Sequence, residues 1–378
     1  MSKQHEHVPA LDGIRGLAIL MVIFHHATYL QSHQGLGGWL IKALHMGGHG
    51  VDLFFVLSGF LITGILLDAK DRPNFFRNFY GRRTLRIFPL YYLYITFILF
   101  LLPALVPSMR QPPYELAALR QHWPWYYFYL SNFFVAQKGF FAHGGIDITW
   151  SLAIEEHFYL LWPLLVSLSD RRHIHRWLLG ILSLSVLLRS LLWAFGTPHL
   201  SLYVMTFTHL DGICLGAFWA AYLRTRESCP DFFRGFARGR LMALSLAVLT
   251  ALFSMGFLED NRTFMNTLGY FVISLFFVQL LAVTVRENPP EFLRRFFSSG
   301  LLRAAGKYSY AMYLVHLPIC TLLRRAASSC PSLGFLTAPN AASQILFYAA
   351  AIALTLAAAM ASWHLLEKHM LKLKKLFA

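Results

Sequence analysis

Long apolar runs recur along the chain, separated by short polar connections. A helix of about 20 mostly apolar residues crosses a bilayer core. On that measure ten runs predict membrane-spanning helices: Leu11–Leu30, Gly50–Leu67, Ile87–Val106, Ser151–Leu168, Trp177–Phe195, Tyr203–Leu223, Leu241–Leu258, Thr267–Val285, Tyr308–Leu323 and Ser343–Leu366. The aromatic stretch Trp123–Ala136 is about 14 residues long, which suits a re-entrant or interfacial segment better than a crossing. The first run has no small-residue cleavage site after it and reads as a retained helix. The connections leave no room for a soluble domain, so residues 1–378 read as one membrane domain, an all-α polytopic integral membrane protein.

Loop charge orients such a bundle, because basic residues favour the cytoplasmic side. With a cytoplasmic N-terminus and Trp123–Ala136 not crossing, 25 of the 33 Lys and Arg residues fall inside, in six segments. Seven fall outside: Lys42, Arg110, Arg120, Lys138, Arg262, Arg324 and Arg325. With Arg15, near the cytoplasmic end of the first span, counted inside, Arg189 is the one left within a span. If Trp123–Ala136 crossed, everything after it would invert and the bias would largely vanish. The expected topology is therefore ten crossings with both termini cytoplasmic.

Composition narrows the class further. Hydrophobic residues make up 57% of the chain and charged residues 13%. A soluble domain carries about 25% charge, so this chain could not cover a soluble surface. Aromatic content of 16% excludes disorder. Four cysteines in 378 residues exclude a disulfide scaffold. A net charge of +15 would suggest nucleic acid in a soluble protein. Spread over six cytoplasmic segments it is a topology signal, and no nucleic-acid partner is expected. Cys214, Cys229, Cys320 and Cys330 lack metal-type spacing, and the 17 histidines are scattered and do not read as a zinc-binding helix. No metal is expected.

Ionisable residues inside spans are costly and mark function. Arg15 and His26 are eleven residues apart, nearly on one helical face and about 16 Å apart along the axis. That face runs Arg15, Ala18, Val22, His26 and resembles the wall of a narrow polar path; alternatively, Arg15 reaches lipid phosphate and the histidines sit at the interface. His25 is turned roughly 80° away. Asp52, Glu155, Glu156, Arg189, His209, Asp211 and His316 add polar groups that together suggest a cavity, with Glu156–Arg189 or Asp211–Arg189 as an internal ion pair. Gly212 and Gly216 form a GxxxG that lets helices approach closely. Arg83 and Arg86, on one face of a helical turn, suit phosphate binding or an ordinary membrane anchor.

Six blocks occur in order: LDGIRGLAILMVIFHH from Leu11, GVDLFFVLSGFLIT from Gly50, RRTLRIFPLYYL from Arg82, TWSLAIEEHFYLLWPLL from Thr149, HLDGICLGA from His209 and GKYSYAMYLVHLP from Gly306. Together they resemble acyltransferase family 3, the membrane O-acyltransferases of the O-antigen acetylase type. The resemblance covers essentially the whole chain. It implies ten helices in the bacterial inner membrane and transfer of an acyl group, often acetyl, from cytoplasmic acyl-coenzyme A (acyl-CoA). The implied acceptor is a hydroxyl of a cell-surface glycan, exopolysaccharide or lipid-linked glycan, with polysaccharide assembly proteins as further partners.

The family's R-x10-H pattern falls on Arg15 and His26, its RxxR motif on Arg83 and Arg86, and its Glu pair on Glu155 and Glu156. His157 stands where Gln is usual. On this reading His26 is the general base, with Glu156 or Asp211 orienting it. Arg15, Arg83 and Arg86 hold the donor. His25, Asp52, Ser58, Glu155, Arg189, His209 and His316 line the substrate cavity. The chain ends twelve residues after Leu366, so no fused extracytoplasmic domain is expected, and the membrane domain or a partner would complete the transfer. The alternatives are a transporter or flippase of a lipid-linked sugar or acyl species, which would carry repeats or paired broken helices, and a non-catalytic membrane assembly partner.

Overall fold

The computed structural model describes residues 9–31, 35–105, 119–141, 145–225, 238–258 and 261–377. Lys3, Arg110, Arg226, Arg234 and Cys229 lie outside them. Among the described residues the fold is helical throughout, with no strand. Six helices are long and apolar enough to cross a membrane: Pro9–Ala27, Gly37–Ala69, Phe75–Leu105, Ile174–Ala194, Arg262–Val285 and Ala341–Phe377. Three more predicted spans are also helical. Thr149–Leu168 and Ser309–Ser329 are of similar length, but Glu155, Glu156 and His157 in one, and His316, Arg324 and Arg325 in the other, lower their hydropathy. Gly239–Ser254 has only 16 residues.

The remaining expected span, Tyr203–Leu223, is not one helix. It breaks into His199–Val204, a 3-10 turn at Thr206–Thr208, and Asp211–Arg224. Met205 is extended, with φ −72° and ψ 137°. Irregular backbone at membrane depth must have its polar groups satisfied by protein. Here the Thr208 hydroxyl donates to the Leu202 and Met205 carbonyls at 2.6 and 3.2 Å, and the Thr208 carbonyl accepts from Arg189 at 2.7 Å. The aromatic stretch also splits, into Trp123–Tyr127 and Ser131–Lys138. It packs on the Phe75–Thr96 helix through aromatic rings, with Tyr91 stacked on Tyr129 at 4.2 Å and the Tyr91 hydroxyl donating to the Tyr126 carbonyl.

The described residues form two compact units. One comprises the described residues within 9–54, 238–239 and 279–363; the other comprises those within 55–225, 240–278 and 364–377. In the first unit, Pro9–Ala27 packs along Gly300–Lys307, Ser309–Ser329 and Ala341–Ser362. Its C-terminal end is held from outside the helix. Gln344 Nε2 donates to the Ala27 carbonyl, and Gln344 Oε1 accepts from the Tyr29 and Leu30 amides. One side chain thus satisfies groups that a helix end leaves open, and it fixes the turn that carries His25 and His26.

In the second unit, the helix after Phe55 meets Asp211–Arg224 at backbone distance. A Cβ on Gly59 would lie 1.9 Å from the Ile213 carbonyl oxygen, and one on Gly216 would lie 1.9 Å from that of Val56. Only glycine fits either position. The contact bears out the close approach read from the GxxxG at Gly216.

Candidate functional site

The first unit gathers histidines. His26 Nδ1 lies 3.2 Å from His316 Nε2 and 3.0 Å from the Val22 carbonyl oxygen. His316 Nδ1 lies 2.6 Å from the Tyr313 carbonyl oxygen. Carbonyl oxygens only accept, so the partners assign the tautomers. His316 carries its proton on Nδ1 and presents the Nε2 lone pair to His26. His26 carries its proton on Nδ1, shared between Val22 and His316. Its Nε2 is then the bare nitrogen, the atom able to take a proton. His316 is fully buried. Arg324, expected in an outer loop, lies within Ser309–Ser329, which continues past the expected end at Leu323. It donates to the His26 carbonyl and lies over the Phe347 ring.

His25 faces elsewhere. Its Nδ1 bonds the His45 carbonyl at 2.6 Å, and its ring lies against Gly48. The structure therefore gives these adjacent histidines different partners. The middle of the face that joins Arg15 to His26 packs against Gly50. A Cβ on Gly50 would lie 2.4 Å from the Ala18 carbonyl oxygen and 2.9 Å from Val22 Cγ2. Small residues at Gly47 and Gly50 let the Met46–Gly50 turn pack onto that face. Arg15, at the opposite end of the helix from His26, pairs with Asp12 at 3.2 Å.

Asp52 is fully buried, and its Oδ2 accepts from His49 Nδ1 at 2.7 Å. Sequence reasoning named Asp52 and missed His49. The signal was there: the two are three residues apart, across the start of the Gly50–Ala69 helix.

Two arginine–carboxylate sets of the second unit include candidate site residues, apart from the more exposed Arg224–Asp68 and Arg171–Asp71 pairs. Arg189 and Asp211 are both fully buried, with Arg189 Nη1 2.5 Å from Asp211 Oδ2 and Nη2 3.1 Å from Oδ1. Arg189 also donates to the carbonyls of Thr208, Asn266 and Thr267. Asn266 and Thr267 lie in the π-helical turn Met265–Gly269, where the ladder is locally rearranged. All five guanidinium N–H groups are thus used. Of the two ion pairs read from the sequence, Asp211–Arg189 is the one formed. Beside it, His209 is boxed by Phe55, Trp150, Tyr203 and Tyr270, with ring centroids 4.6 to 6.3 Å away.

The other set joins Arg83 to the Glu pair. The Arg83 guanidinium lies 3.9 Å from the Tyr159 ring centroid. The Tyr159 hydroxyl lies 2.5 Å from Glu155 Oε2 and 2.9 Å from Ser58 Oγ. A phenol has one proton and a carboxylate only accepts, so that proton goes to Glu155 and the Ser58 hydroxyl supplies the other bond. Arg83 and Glu156 interact electrostatically, yet Arg83 Nε and Glu156 Oε1 are buried without a hydrogen-bond partner. Arg86 is exposed while Arg83 turns inward. His157 bonds Thr206 at 2.7 Å and stacks on Phe133, so it supports the broken segment.

The fold and these sets define a helical integral membrane protein with polar chemistry carried on its apolar helices. The acyltransferase domain family matches residues 8–364, and the chain belongs to that family. It is 29% identical to peptidoglycan O-acetyltransferase OatA of Listeria monocytogenes over 332 residues, which is 84% of this chain and 50% of that protein. It is 30% identical to a putative peptidoglycan O-acetyltransferase, YrhL, of Bacillus subtilis over 338 residues, 85% of this chain and 50% of that protein. A putative O-acetyltransferase of Staphylococcus aureus is 27% identical over 336 residues, 85% of this chain and 52% of that protein. The chain thus spans about half the length of the curated relatives it matches. No solved structure is significantly similar to it. Among the described residues no group of three or more His, Cys, Asp and Glu could hold a metal ion.

Proposed function

We propose that this protein transfers an acyl group, acetyl first among candidates, from acyl-CoA to a hydroxyl of a cell-envelope glycan. The observation that carries the reading is the His26 tautomer. A bare imidazole Nε2, backed by a proton on Nδ1 held between Val22 and His316, suits removal of a proton from an acceptor hydroxyl. His316 is a positioning residue, since its lone pair fixes which His26 nitrogen is bare. Family membership supports acyl transfer, and the relatives' names support O-acetylation, with peptidoglycan as the first acceptor to test. Arg83 and Arg86 are assigned to the donor's phosphates. Glu156, with an unused oxygen, is assigned to the reaction as an acid–base group, while Asp211 is assigned to holding Arg189. The setting is the bacterial inner membrane, with ten crossings and both termini cytoplasmic.

The test uses purified protein in lipid nanodiscs with radiolabelled acetyl-CoA and a defined glycan. Replacing a general base costs about 10²–10⁴-fold in rate. His26→Ala is expected to lose that much transfer while keeping the wild-type melting temperature. Full activity in His26→Ala would remove His26 from the chemistry. Absence of transfer by the wild-type protein from acetyl-CoA would remove the donor.

A further inference from the structure

Residues 368–377 dock on the helix that carries the RxxR motif. The Phe377 ring lies against Gly81, where a Cβ would stand 2.2 Å from the ring. The Arg77 guanidinium sits 5.8 Å from the same ring's centroid. The Phe377 carbonyl accepts from Arg82 Nε at 2.8 Å. An aromatic anchor, a cation over its face and a backbone hydrogen bond together fix the segment's register on Phe75–Thr96. That register brings Lys374 within electrostatic reach of Arg86, Arg83 and Arg82. Lys374 is half-buried, whereas its neighbours Lys372 and Lys375 are exposed.

Lys374 and the three arginines repel one another, with Glu156 the carboxylate acting on Arg83, and a polyanion placed among the cations relieves that repulsion. Fork-shaped guanidinium groups and a compact ammonium bind phosphate in complementary ways. We propose that Lys374 is a further phosphate-binding residue of the donor site, so that the 368–377 segment completes a pocket for a phosphate-rich acyl carrier. The inference rests on the acyl-CoA reading and extends it to a residue outside the family's motifs. Both the donor and an anionic lipid headgroup carry phosphate, and the experiment separates them.

Coenzyme A binding to the full chain is measured in nanodiscs of phosphatidylcholine and, separately, of phosphatidylglycerol. In phosphatidylcholine, Lys374→Gln should weaken coenzyme A binding about tenfold, the size expected for one charged hydrogen bond. Phe377→Ala, which releases the anchor, should do the same, and exposed Lys375→Gln should change nothing. Wild-type affinity in both Lys374→Gln and Phe377→Ala would overturn the proposal while leaving the donor reading intact. An effect of Lys374→Gln seen only in phosphatidylglycerol would assign the cluster to lipid headgroups and also overturn it. Failure of the wild-type protein to bind coenzyme A in either lipid would overturn the donor reading, and the Lys374 role with it.

Discussion

Arg189 and Arg83 belong to the same unit, and each faces a carboxylate, but they differ in what is left unused. Every N–H of Arg189 has an acceptor, and both oxygens of Asp211 are taken by that one guanidinium. The Arg83 guanidinium instead lies over the Tyr159 ring, with Nε and Glu156 Oε1 lacking a hydrogen-bond partner. Buried polar atoms are normally satisfied, and each exception needs an explanation. The closed set has no guanidinium N–H left for a substrate. Arg189 supplies donors to the carbonyls of Thr208, Asn266 and Thr267, in the broken 199–224 segment and the π-turn at Met265–Gly269. An open set keeps directional bonding capacity in a dry place, which is what binding and catalysis require.

The largest effect expected from this contrast is on stability. Removing one partner of a buried ion pair strands the other charge and costs about 3–5 kcal/mol. Asp211→Ala should therefore lower the melting temperature in detergent sharply and reduce the amount of folded protein in the membrane. The double change Arg189→Met with Asp211→Leu should recover much of that loss, because it leaves no charge behind. A fully stable but inactive Asp211→Ala protein would place Asp211 in the open, chemical set instead.

Glu156→Gln should show the opposite pattern. The amide keeps the shape of the carboxylate, so the melting temperature should hold. Acyl transfer should fall about a hundredfold, at the lower end of what loss of an acid–base group costs. If Glu156→Gln destabilises the protein as much as Asp211→Ala does, the two sets are equivalent and the distinction fails.

The contrast explains which parts of the molecule were legible in the sequence. Apolar runs gave most of the helices, because burial in lipid demands long hydrophobic stretches whatever their partners. Arg189 stood out as an arginine deep within a span, and its partner was narrowed to two carboxylates. The break after Val204 was hidden. Tyr203–Leu223 is a long apolar run in the sequence, and the Thr208 hydroxyl and the Arg189 guanidinium reaching it from another helix satisfy the carbonyls at the interruption. Likewise, the pairing of His26 with His316 joins positions 290 residues apart, which no local pattern can report. His49 was legible in principle, three residues before Asp52, but a histidine at a helix start looks like any other interfacial residue. The aromatic platform under Arg83 was invisible too, since Tyr159 reads as one more apolar residue of its span.

Tyr159→Phe should have the smallest effect and discriminate best. The phenyl ring keeps its face toward Arg83, so the cation–π contact, worth roughly 0.5–2 kcal/mol, is retained. Only the hydroxyl is lost, and with it the bridge between Ser58 and Glu155. Glu155 then gives up a short hydrogen bond of 2.5 Å, and Ser58 gives up an acceptor. If Arg83 serves the donor and the Glu155–Tyr159–Ser58 chain serves the reaction, the two parameters should separate. The KM for acyl-CoA should stay within about twofold, and kcat should fall about tenfold, the equivalent of one modest hydrogen bond in the barrier. The reverse split, with KM raised and kcat unchanged, would mean that the hydroxyl only sets the angle of the ring beneath Arg83. The open set would then be a donor-binding device alone, with its unused carboxylate oxygen left to answer for by the Glu156→Gln protein.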